Sequence, residues 1–167
     1  KPRKRFVIDI AGSSGSGKTT FANRIIDDCR KAGIPSQMFS LDNYYQPLDH
    51  LSLQERQAYN FDHPEAIDFN LALEHLRELC QGRVIRQPVY DFTVHTRKRR
   101  AIPRRPTDLI VVEGLYALYP ADLLALYDYK LFVSTGLATA ILRRVERDIS
   151  ERGRTVENAR HQILSSV

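Results

Sequence analysis

The chain has 167 residues, enough for one domain with a hydrophobic core, and its 43% hydrophobic and 27% charged residues are the balance of an ordinary globular protein. No apolar run approaches the roughly 20 residues that cross a bilayer, which excludes a membrane-spanning segment. The formal net charge of +5 is mild, and it fits a ligand with several phosphates as well as it fits a nucleic acid. Cys29 and Cys80 fall in separate predicted helices with no partner at metal-ligand spacing, which favours a reducing cytoplasm.

The predicted elements of the first half alternate between strand and helix. A short β-branched strand over residues 6–10 is followed by a helix over 19–32 and a second strand over 36–41. After a polar, aromatic loop, residues 68–80 carry apolar side chains at helical spacing. This alternation predicts a three-layer α/β/α fold on a mainly parallel sheet.

The second half continues the alternation after one interruption. Residues 84–92 and 98–103 form a predicted β-hairpin that stands off the main sheet. The order then runs through a buried strand over 108–113, a helix over 120–126, a strand over 129–133 and a helix over 137–151. No repeat or low-complexity segment divides the chain, so residues 1–167 are predicted to form a single domain.

The strongest local signal is the loop between the first strand and the first helix, which matches G-x-x-x-x-G-K-[ST] in full. Glycines let the backbone wrap around an anion so that successive N–H groups point at phosphate oxygens, and the next helix adds the positive end of its dipole. Lys18 is expected to reach the β- and γ-phosphates, and the Thr19 hydroxyl to hold Mg²⁺. The predicted residues for the triphosphate are Gly12, Ser13, Ser14, Gly15, Ser16, Gly17, Lys18, Thr19 and Thr20.

Phosphoryl transfer also needs a second carboxylate near the metal and a base for the acceptor hydroxyl. Glu113 closes the buried strand and precedes Gly114, at the edge where open α/β sheets place ligand groups. Asp42 follows the second strand. Taken alone, Glu113 could be a plain polar strand end, and Asp42 is more typical of a turn. In the same architecture as the glycine loop, they become a candidate metal ligand and a candidate general base.

Several further segments together resemble the uridine-cytidine kinase family, P-loop nucleoside kinases of pyrimidine salvage that are related to phosphoribulokinase. The likeness covers nearly the whole chain. Besides the glycine loop, it rests on Leu41-Asp42-Asn43-Tyr44-Tyr45, on Asn60-Phe61-Asp62-His63-Pro64-Glu65-Ala66, on Pro88-Val89-Tyr90-Asp91-Phe92 with His95 and Arg97, on Glu113-Gly114, and on Arg143-Arg144 through Arg154.

The resemblance implies transfer of the γ-phosphoryl group of ATP or GTP to the 5′-hydroxyl of uridine or cytidine, with Mg²⁺ as cofactor. By this likeness Asp42 is the catalytic aspartate and lies close to the metal, and Thr19 and Glu113 are the other metal contacts. The hairpin carries part of the acceptor site. The positions that match nucleoside-binding residues of the family are Asp42, Tyr45, Asp62, Tyr90, His95, Arg97, Arg144, Arg154 and Gln162.

The chemistry of these residue types agrees with a nucleoside acceptor. A neutral ribose is held well by an acid that accepts two vicinal hydroxyls, and a flat base by aromatic faces with a polar group at its edge. Asp62 and Tyr90 suit the first two roles, and His95 suits the third. Taken alone, His95 would be more typical of the surface and Tyr90 of a core.

Arginines are concentrated in the last predicted helix, where acids alternate with them. By itself this pattern is typical of a solvated helix face. The helix runs into Arg152-Gly153-Arg154, however, and a glycine between two arginines suits a lid that closes over the γ-phosphate. Arg147 and Arg152 are therefore expected to contact phosphates and, with Lys18 and Asp42, to form the catalytic set. The cluster at 97–100 has few interleaved aromatics, which disfavours a nucleic acid.

Three alternatives remain from the sequence. A phosphoribulokinase-like sugar-phosphate kinase would share the glycine loop, Asp42 and the arginine lid, although the segment from Asn60 to Pro64 favours a nucleoside. A P-loop module that binds nucleotide without transfer is a second alternative, although it would not need a base such as Asp42. Nucleic-acid binding is the third, and it rests only on positive charge.

The resemblance also sets expectations about the whole protein. Family members continue beyond the position of Gln162 through another helix and strand that help to hold adenine, so the domain at 1–167 is expected to lack that part. A cytoplasmic homo-oligomer, such as a tetramer, is expected from the same likeness. No nucleic-acid or membrane partner is expected.

Overall fold

The computed structural model describes residues 5–150, 155 and 157. The strands are β1 (Phe6–Gly12), β2 (Ser36–Ser40), β3 (Ile85–Gln87), β4 (Tyr90–Asp91), β5 (Thr96–Arg97), β6 (Ile102–Arg104), β7 (Leu109–Gly114) and β8 (Tyr129–Val133). The helices are α1 (Lys18–Lys31), α2 (Leu53–Ala58), α3 (Phe69–Cys80), α4 (Ala121–Leu124) and α5 (Leu137–Ser150). Two short 3₁₀ turns cover Leu41–Tyr44 and Pro64–Ala66.

The main sheet has four parallel strands in the order β2–β7–β1–β8. In its register, Ala11 of β1 lies opposite Gly114 of β7, and Ser40 of β2 lies opposite Glu113. Parallel strands end at the same edge of a sheet, so the glycine loop, Asp42 and Glu113 emerge side by side. The expected α/β fold with a parallel sheet is confirmed.

Both faces of the sheet are covered over β1, β2 and β7, because buried parallel strands need helices to exclude water, whereas β8 is largely exposed among the described residues. On one face, Ile10 and Val111 pack with Ala22 and Ile26 of α1. The larger core lies on the other face, where residues of β1, β2 and β7 pack against α3 and the segment around α4. Its fully buried side chains include Val7, Phe39, Leu41, Tyr44, Leu76, Leu79, Ile110, Val112 and Leu123.

The predicted hairpin forms, but as two short ladders instead of one. β3 pairs with β6, and β4 pairs with β5, both antiparallel and both apart from the main sheet. The return strand begins at Thr96, two residues before the predicted start. Pro88 lies between β3 and β4, and since proline has no backbone N–H it cannot continue the ladder as a donor.

No helix in the described part of the chain is both long and apolar enough to cross a membrane. Cys29 in α1 and Cys80 at the end of α3 are free thiols. The predicted lid residues Arg152, Gly153 and Arg154, and also Gln162, lie outside the described residues.

Candidate active site

At two positions of the glycine loop between β1 and α1, the backbone has a conformation that only glycine adopts without strain. Gly15 and Gly17 have φ angles of +80° and +95°, in the left-handed region. A Cβ atom at Gly15 would lie 2.2 Å from the carbonyl oxygen of Ala140 in α5. The loop is therefore in direct contact with the backbone of the last described helix, and a side chain at position 15 would push α5 away.

The start of α1 leaves its first N–H groups available to a ligand. Gly17 occupies the N-cap and has no side chain to accept from them, and the first turn contains no acidic residue. Lys18, the first residue of the helix, is only 6% exposed although it carries a charge. Unpaired donors, a helix dipole and a buried cation together favour an anion at this position.

A buried carboxylate lies next to the loop. Glu113 is 3% exposed and accepts hydrogen bonds from the Ser40 hydroxyl at 2.5 Å and from the Thr19 hydroxyl at 3.0 Å. Burial raises the pKa of Glu113, and the negative charge of Asp42 raises it further, while the two hydroxyls and Lys18 act in the opposite direction. The two carboxylates repel each other when both are ionised, so a cation beside them would be stabilised.

Ser40 links the two acids and was not predicted from the sequence. Its hydroxyl donates to Glu113 and also accepts the backbone N–H of Asp42 at 3.4 Å. A serine at the last position of a strand before an acid is a common turn pattern, which is why the sequence does not single it out. The structure shows it holding the start of the 3₁₀ turn that carries Asp42.

One cavity joins the glycine loop to the hairpin. It encloses about 510 Å³ of empty space, with the open solvent at its mouth included. Most of the predicted catalytic and acceptor residues that the structure describes lie on its wall. The lining residues are Ser14, Lys18, Asp42, Tyr45, Phe61, Asp62, Tyr90, Phe92, His95, Leu115, Arg144 and Arg147.

An aromatic cluster forms one side of this cavity. Tyr45 and Tyr90 have ring centroids 5.1 Å apart, and Phe61 meets Tyr45 edge-on at 5.6 Å. Phe92 packs against Tyr90 at 5.1 Å, and His95 stacks on Phe61 at 5.2 Å with 24° between the planes. His95 is 5% exposed and has a φ of +53°, a backbone conformation uncommon outside glycine, so the hairpin turn holds its ring in the cavity at some cost.

An ion pair also lines the cavity. Arg144 of α5 donates to the carboxylate of Asp62 at 2.5 Å, and the two side chains are only 14% and 16% exposed. The Tyr116 hydroxyl, two residues after the end of β7, donates to the backbone carbonyl of Asp62 at 2.6 Å and so holds this loop. Two residues that were both predicted to bind the nucleoside are therefore in contact.

Arg147, one turn further along α5, reaches the glycine loop. Its guanidinium donates to the Ser14 hydroxyl at 2.9 Å and pairs with the buried Asp148 at 3.6 Å. The structure therefore brings a predicted phosphate-contacting arginine to the loop that is predicted to hold the phosphates.

Some predicted residues do not lie on the cavity wall. Arg97 does not line it; its guanidinium contacts the backbone of Tyr44 and Tyr45 instead. Thr20 is exposed on the first turn of α1. Arg152, Arg154 and Gln162 fall outside the described residues.

Phe61, Phe92 and Leu115 line the cavity but were not predicted as site residues. Phe61 and Phe92 do occur inside the segments that carry the family resemblance, where a phenylalanine reads as a core residue. Leu115 directly follows Glu113-Gly114, and only the sheet edge on which that segment ends indicates its position.

A glycine loop with a buried lysine, between a strand and a helix and beside acids at the ends of neighbouring parallel strands, defines a P-loop nucleotide-binding enzyme. Comparison with known proteins is more specific. The family model for the phosphoribulokinase / uridine kinase family matches residues 7–167. A uridine kinase from Bacillus cytotoxicus is 44% identical over 164 residues, which are 98% of this chain and 76% of that protein.

A uridine kinase from Lactobacillus johnsonii is 41% identical over 165 residues, 99% of this chain and 78% of that protein. Among solved structures, a candidate fructose transport system kinase from Silicibacter sp. TM1040 has a TM-score of 0.80 at 23% identity, covering 98% of this chain and 82% of that one. This structural likeness bears on the fold alone. The chain belongs to the phosphoribulokinase / uridine kinase family, and it is a kinase.

Proposed function

We propose that the protein transfers the γ-phosphoryl group of ATP or GTP to the 5′-hydroxyl of uridine or cytidine, giving UMP or CMP in pyrimidine salvage. The observation that carries the proposal is the single cavity whose wall includes Lys18 of the glycine loop, Asp42, and the aromatic cluster with His95. Donor groups and a pocket for a flat base thus open into one space. The names of the relatives at 41–44% identity support the same acceptor.

The donor side of the reaction is assigned to the glycine loop. Its backbone N–H groups and the start of α1 would hold the β- and γ-phosphates, with Lys18 as the nearest positive side chain. Arg147 is close enough to Ser14 to share the same phosphates. These positive groups would spread the charge that develops on the γ-phosphoryl oxygens during transfer.

Mg²⁺ is part of the proposal, and the residues present fit it. No group of three or more His, Cys, Asp or Glu side chains converges on one point within residues 5–150, 155 and 157, so an all-protein cage is not expected. Mg²⁺ characteristically takes one or two carboxylates, with phosphates and water completing its ligands. Thr19, Asp42 and Glu113 offer oxygen ligands beside the loop. Burial and then the charge of Asp42 raise the pKa of Glu113, and a cation would offset the second of these effects. The ion neutralises phosphate charge when bound.

The acceptor side would use the rest of the cavity. The aromatic cluster would sandwich the base, His95 would contact its polar edge, and Asp62 with Arg144 would hold the ribose hydroxyls. Asp42 would accept the proton of the 5′-hydroxyl as its oxygen forms a bond to the γ-phosphorus. The bond from that phosphorus to the bridging oxygen breaks, and the nucleoside diphosphate leaves with the electron pair.

An acceptor panel tests the proposal directly. We expect the full-length protein with ATP and Mg²⁺ to phosphorylate uridine and cytidine, and not adenosine, thymidine or ribulose 5-phosphate, because the proposed acceptor is a pyrimidine riboside. Product formation is measured by release of ADP and by separation of the monophosphates. Turnover of ribulose 5-phosphate alone would favour a sugar-phosphate kinase. Nucleotide binding without turnover of any acceptor would favour a binding module.

The ribose contact gives a second prediction. Asp62→Asn should raise the KM for uridine by about 10- to 100-fold, because a charge-assisted hydrogen bond is replaced by a weaker neutral one and Arg144 loses its partner. Steady-state kinetics at saturating ATP measure the effect. Glu65→Gln is the matched control, since Glu65 is in the same loop but its side chain is 89% exposed. An unchanged KM for Asp62→Asn would contradict its assignment.

Other expectations stay predictions. They are a cytoplasmic location, assembly as a homo-oligomer such as a tetramer, and the absence of a nucleic-acid or membrane partner. The roles of Arg152, Arg154 and Gln162 also stay predictions.

A further inference from the structure

Arg97 was predicted to bind the nucleoside, but in the structure its side chain does not line the cavity. It ends β5, opposite Tyr90 in the β4–β5 ladder. Its Nε donates to the carbonyl of Tyr45 at 2.7 Å, and its Nη2 donates to the carbonyl of Tyr44 at 3.1 Å. The same Nη2 pairs with the carboxylate of Asp68 at 3.1 Å, and only 15% of the Arg97 side chain is exposed.

The backbone that Arg97 holds is the end of the 3₁₀ turn Leu41–Tyr44. Asp42 lies inside this turn, and Tyr45, directly after it, forms part of the cavity wall. The turn is anchored at its other end by Ser40, whose hydroxyl accepts the N–H of Asp42. The position of the Asp42 carboxylate therefore depends on contacts at both ends of a four-residue turn.

Asp68 connects the end of this turn, at Tyr44, to α3 and the hydrophobic core. Its other carboxylate oxygen accepts the N–H of Leu71 at 3.1 Å and so caps α3, while its own N–H donates to the carbonyl of Tyr44 at 2.8 Å. The Tyr44 side chain is fully buried, and its hydroxyl is 3.0 Å from Nδ1 of His75 in α3. Arg97 thus links the hairpin that carries His95 to the turn that carries Asp42, beside the longer hydrogen bond of 3.5 Å from the Tyr90 N–H to the Asn43 side chain.

We propose that Arg97 is a positioning residue: it sets the location of Asp42 relative to the acceptor pocket by holding the carbonyls of Tyr44 and Tyr45, and it does not contact the nucleoside. This inference rests on the proposed function, because Asp42 must be the base for the acceptor hydroxyl. A planar guanidinium that donates to two consecutive carbonyls and an acid fixes their geometry better than a lysine ammonium can. A displacement of about 1 Å in a catalytic group can cost about 100-fold in rate.

Two variants separate positioning from ligand binding. Arg97→Lys keeps a charge beside Asp68 but loses the rigid fork, and we expect kcat with uridine to fall about 10-fold. Arg97→Met removes every contact, and kcat should fall by about 10- to 100-fold. The KM for uridine should stay within about threefold of wild type in both, because a residue that acts on the transition state alone changes kcat.

A double-mutant cycle tests whether the effect acts through Asp42. In an Asp42→Asn background, Arg97→Met should lower the remaining kcat by less than about twofold, because there is no longer a base to position. Lys98→Met is the matched control. Lys98 neighbours Arg97 and pairs with Asp91 at 3.3 Å, but its side chain is 53% exposed, and no hydrogen bond joins it to Tyr44 or Tyr45 within the described residues. Lys98→Met should leave kcat within about twofold of the parent protein in each background, wild type or Asp42→Asn.

Each outcome decides the question. A rise of about tenfold or more in the KM for uridine at unchanged kcat would make Arg97 a nucleoside ligand and overturn the positioning role. A full, multiplicative loss in the Asp42→Asn background would also overturn it. Thermal unfolding shows which variants are folded at the assay temperature, and Arg97→Lys decides the matter if Arg97→Met is not. Wild-type turnover of uridine is measured alongside: its absence would contradict the proposed function, whereas normal turnover by every Arg97 variant would contradict only this inference.

Discussion

Replacing Asp42 by asparagine is expected to lower kcat by at least about 100-fold, the scale of a lost general base. Asparagine has nearly the same shape and can keep the backbone hydrogen bond to Ser40, so the 3₁₀ turn should survive. It cannot accept the proton of the acceptor hydroxyl. Binding of ATP should remain, because Lys18 and the loop backbone supply most of it.

The measurement combines steady-state turnover of uridine with direct nucleotide binding by calorimetry or fluorescence. Asp49→Asn is the matched control: Asp49 is an exposed acid seven residues further along the chain, and it should leave kcat within about twofold. Near-normal turnover by Asp42→Asn would remove Asp42 from its role as base. Loss of ATP binding in that variant would instead assign it mainly to the metal and phosphates.

Replacing Asp9 by asparagine is expected to stabilise the protein above neutral pH. Asp9 lies in the middle of β1, is completely buried, and its carboxylate oxygens have no hydrogen-bond partner among the described residues. Burial raises the pKa of Asp9 from 3.8 to about 7. The nearby backbone N–H of Ile10 and the charge of Lys130, which lies opposite Asp9 in β8, lower the pKa, whereas the charge of Glu113 in β7 raises it. Tyr127, before β8, is near enough for the Asp9 charge to raise its pKa further, beyond the effect of burial.

The direction of the pH dependence follows from these values. The unfolded chain loses the Asp9 proton near pH 3.8, whereas the folded protein holds it to about pH 7. Between these values the folded state binds more protons, so stability falls as the pH rises and stays low above pH 7. From pH 5 to pH 7 the loss is about 2–3 kcal/mol, at about 1.36 kcal/mol for each pH unit.

Asparagine carries no ionisable proton, so its advantage over the wild-type acid should grow by that amount between pH 5 and pH 8. Chemical denaturation at both pH values measures the free energy of unfolding. The exposed Asp27→Asn in α1 is the control, and its difference from wild type should change by less than about 0.5 kcal/mol. An advantage of Asp9→Asn that does not depend on pH would mean that the Asp9 pKa is close to its ordinary value.

The local pattern of the chain was sufficient for most of the fold. Short apolar strands alternating with amphipathic helices require parallel pairing and cover on both faces, so the sheet could be predicted in outline. The glycine loop was recognisable because its function depends on a few residues that are adjacent in the sequence, at fixed spacing. The hairpin was predicted where it occurs, but its strand bounds were not, because short ladders depend on which N–H groups find partners and not on apolar periodicity.

The sequence alone determined that this is a P-loop protein with acids at the ends of two strands, since the loop spacing and an acid directly after a strand are local properties. That β2 and β7 are neighbours in the sheet was decided by the tertiary structure. Only the tertiary structure decided which side chains share the cavity. Ser40, Phe61 and Leu115 belong to the site although they were not predicted. Arg97 was predicted but does not line the cavity. Contacts between distant segments decide where each of these side chains lies. Arg97 and Tyr45 are far apart along the chain, and no local pattern indicates that a guanidinium on one will hold the carbonyl of the other.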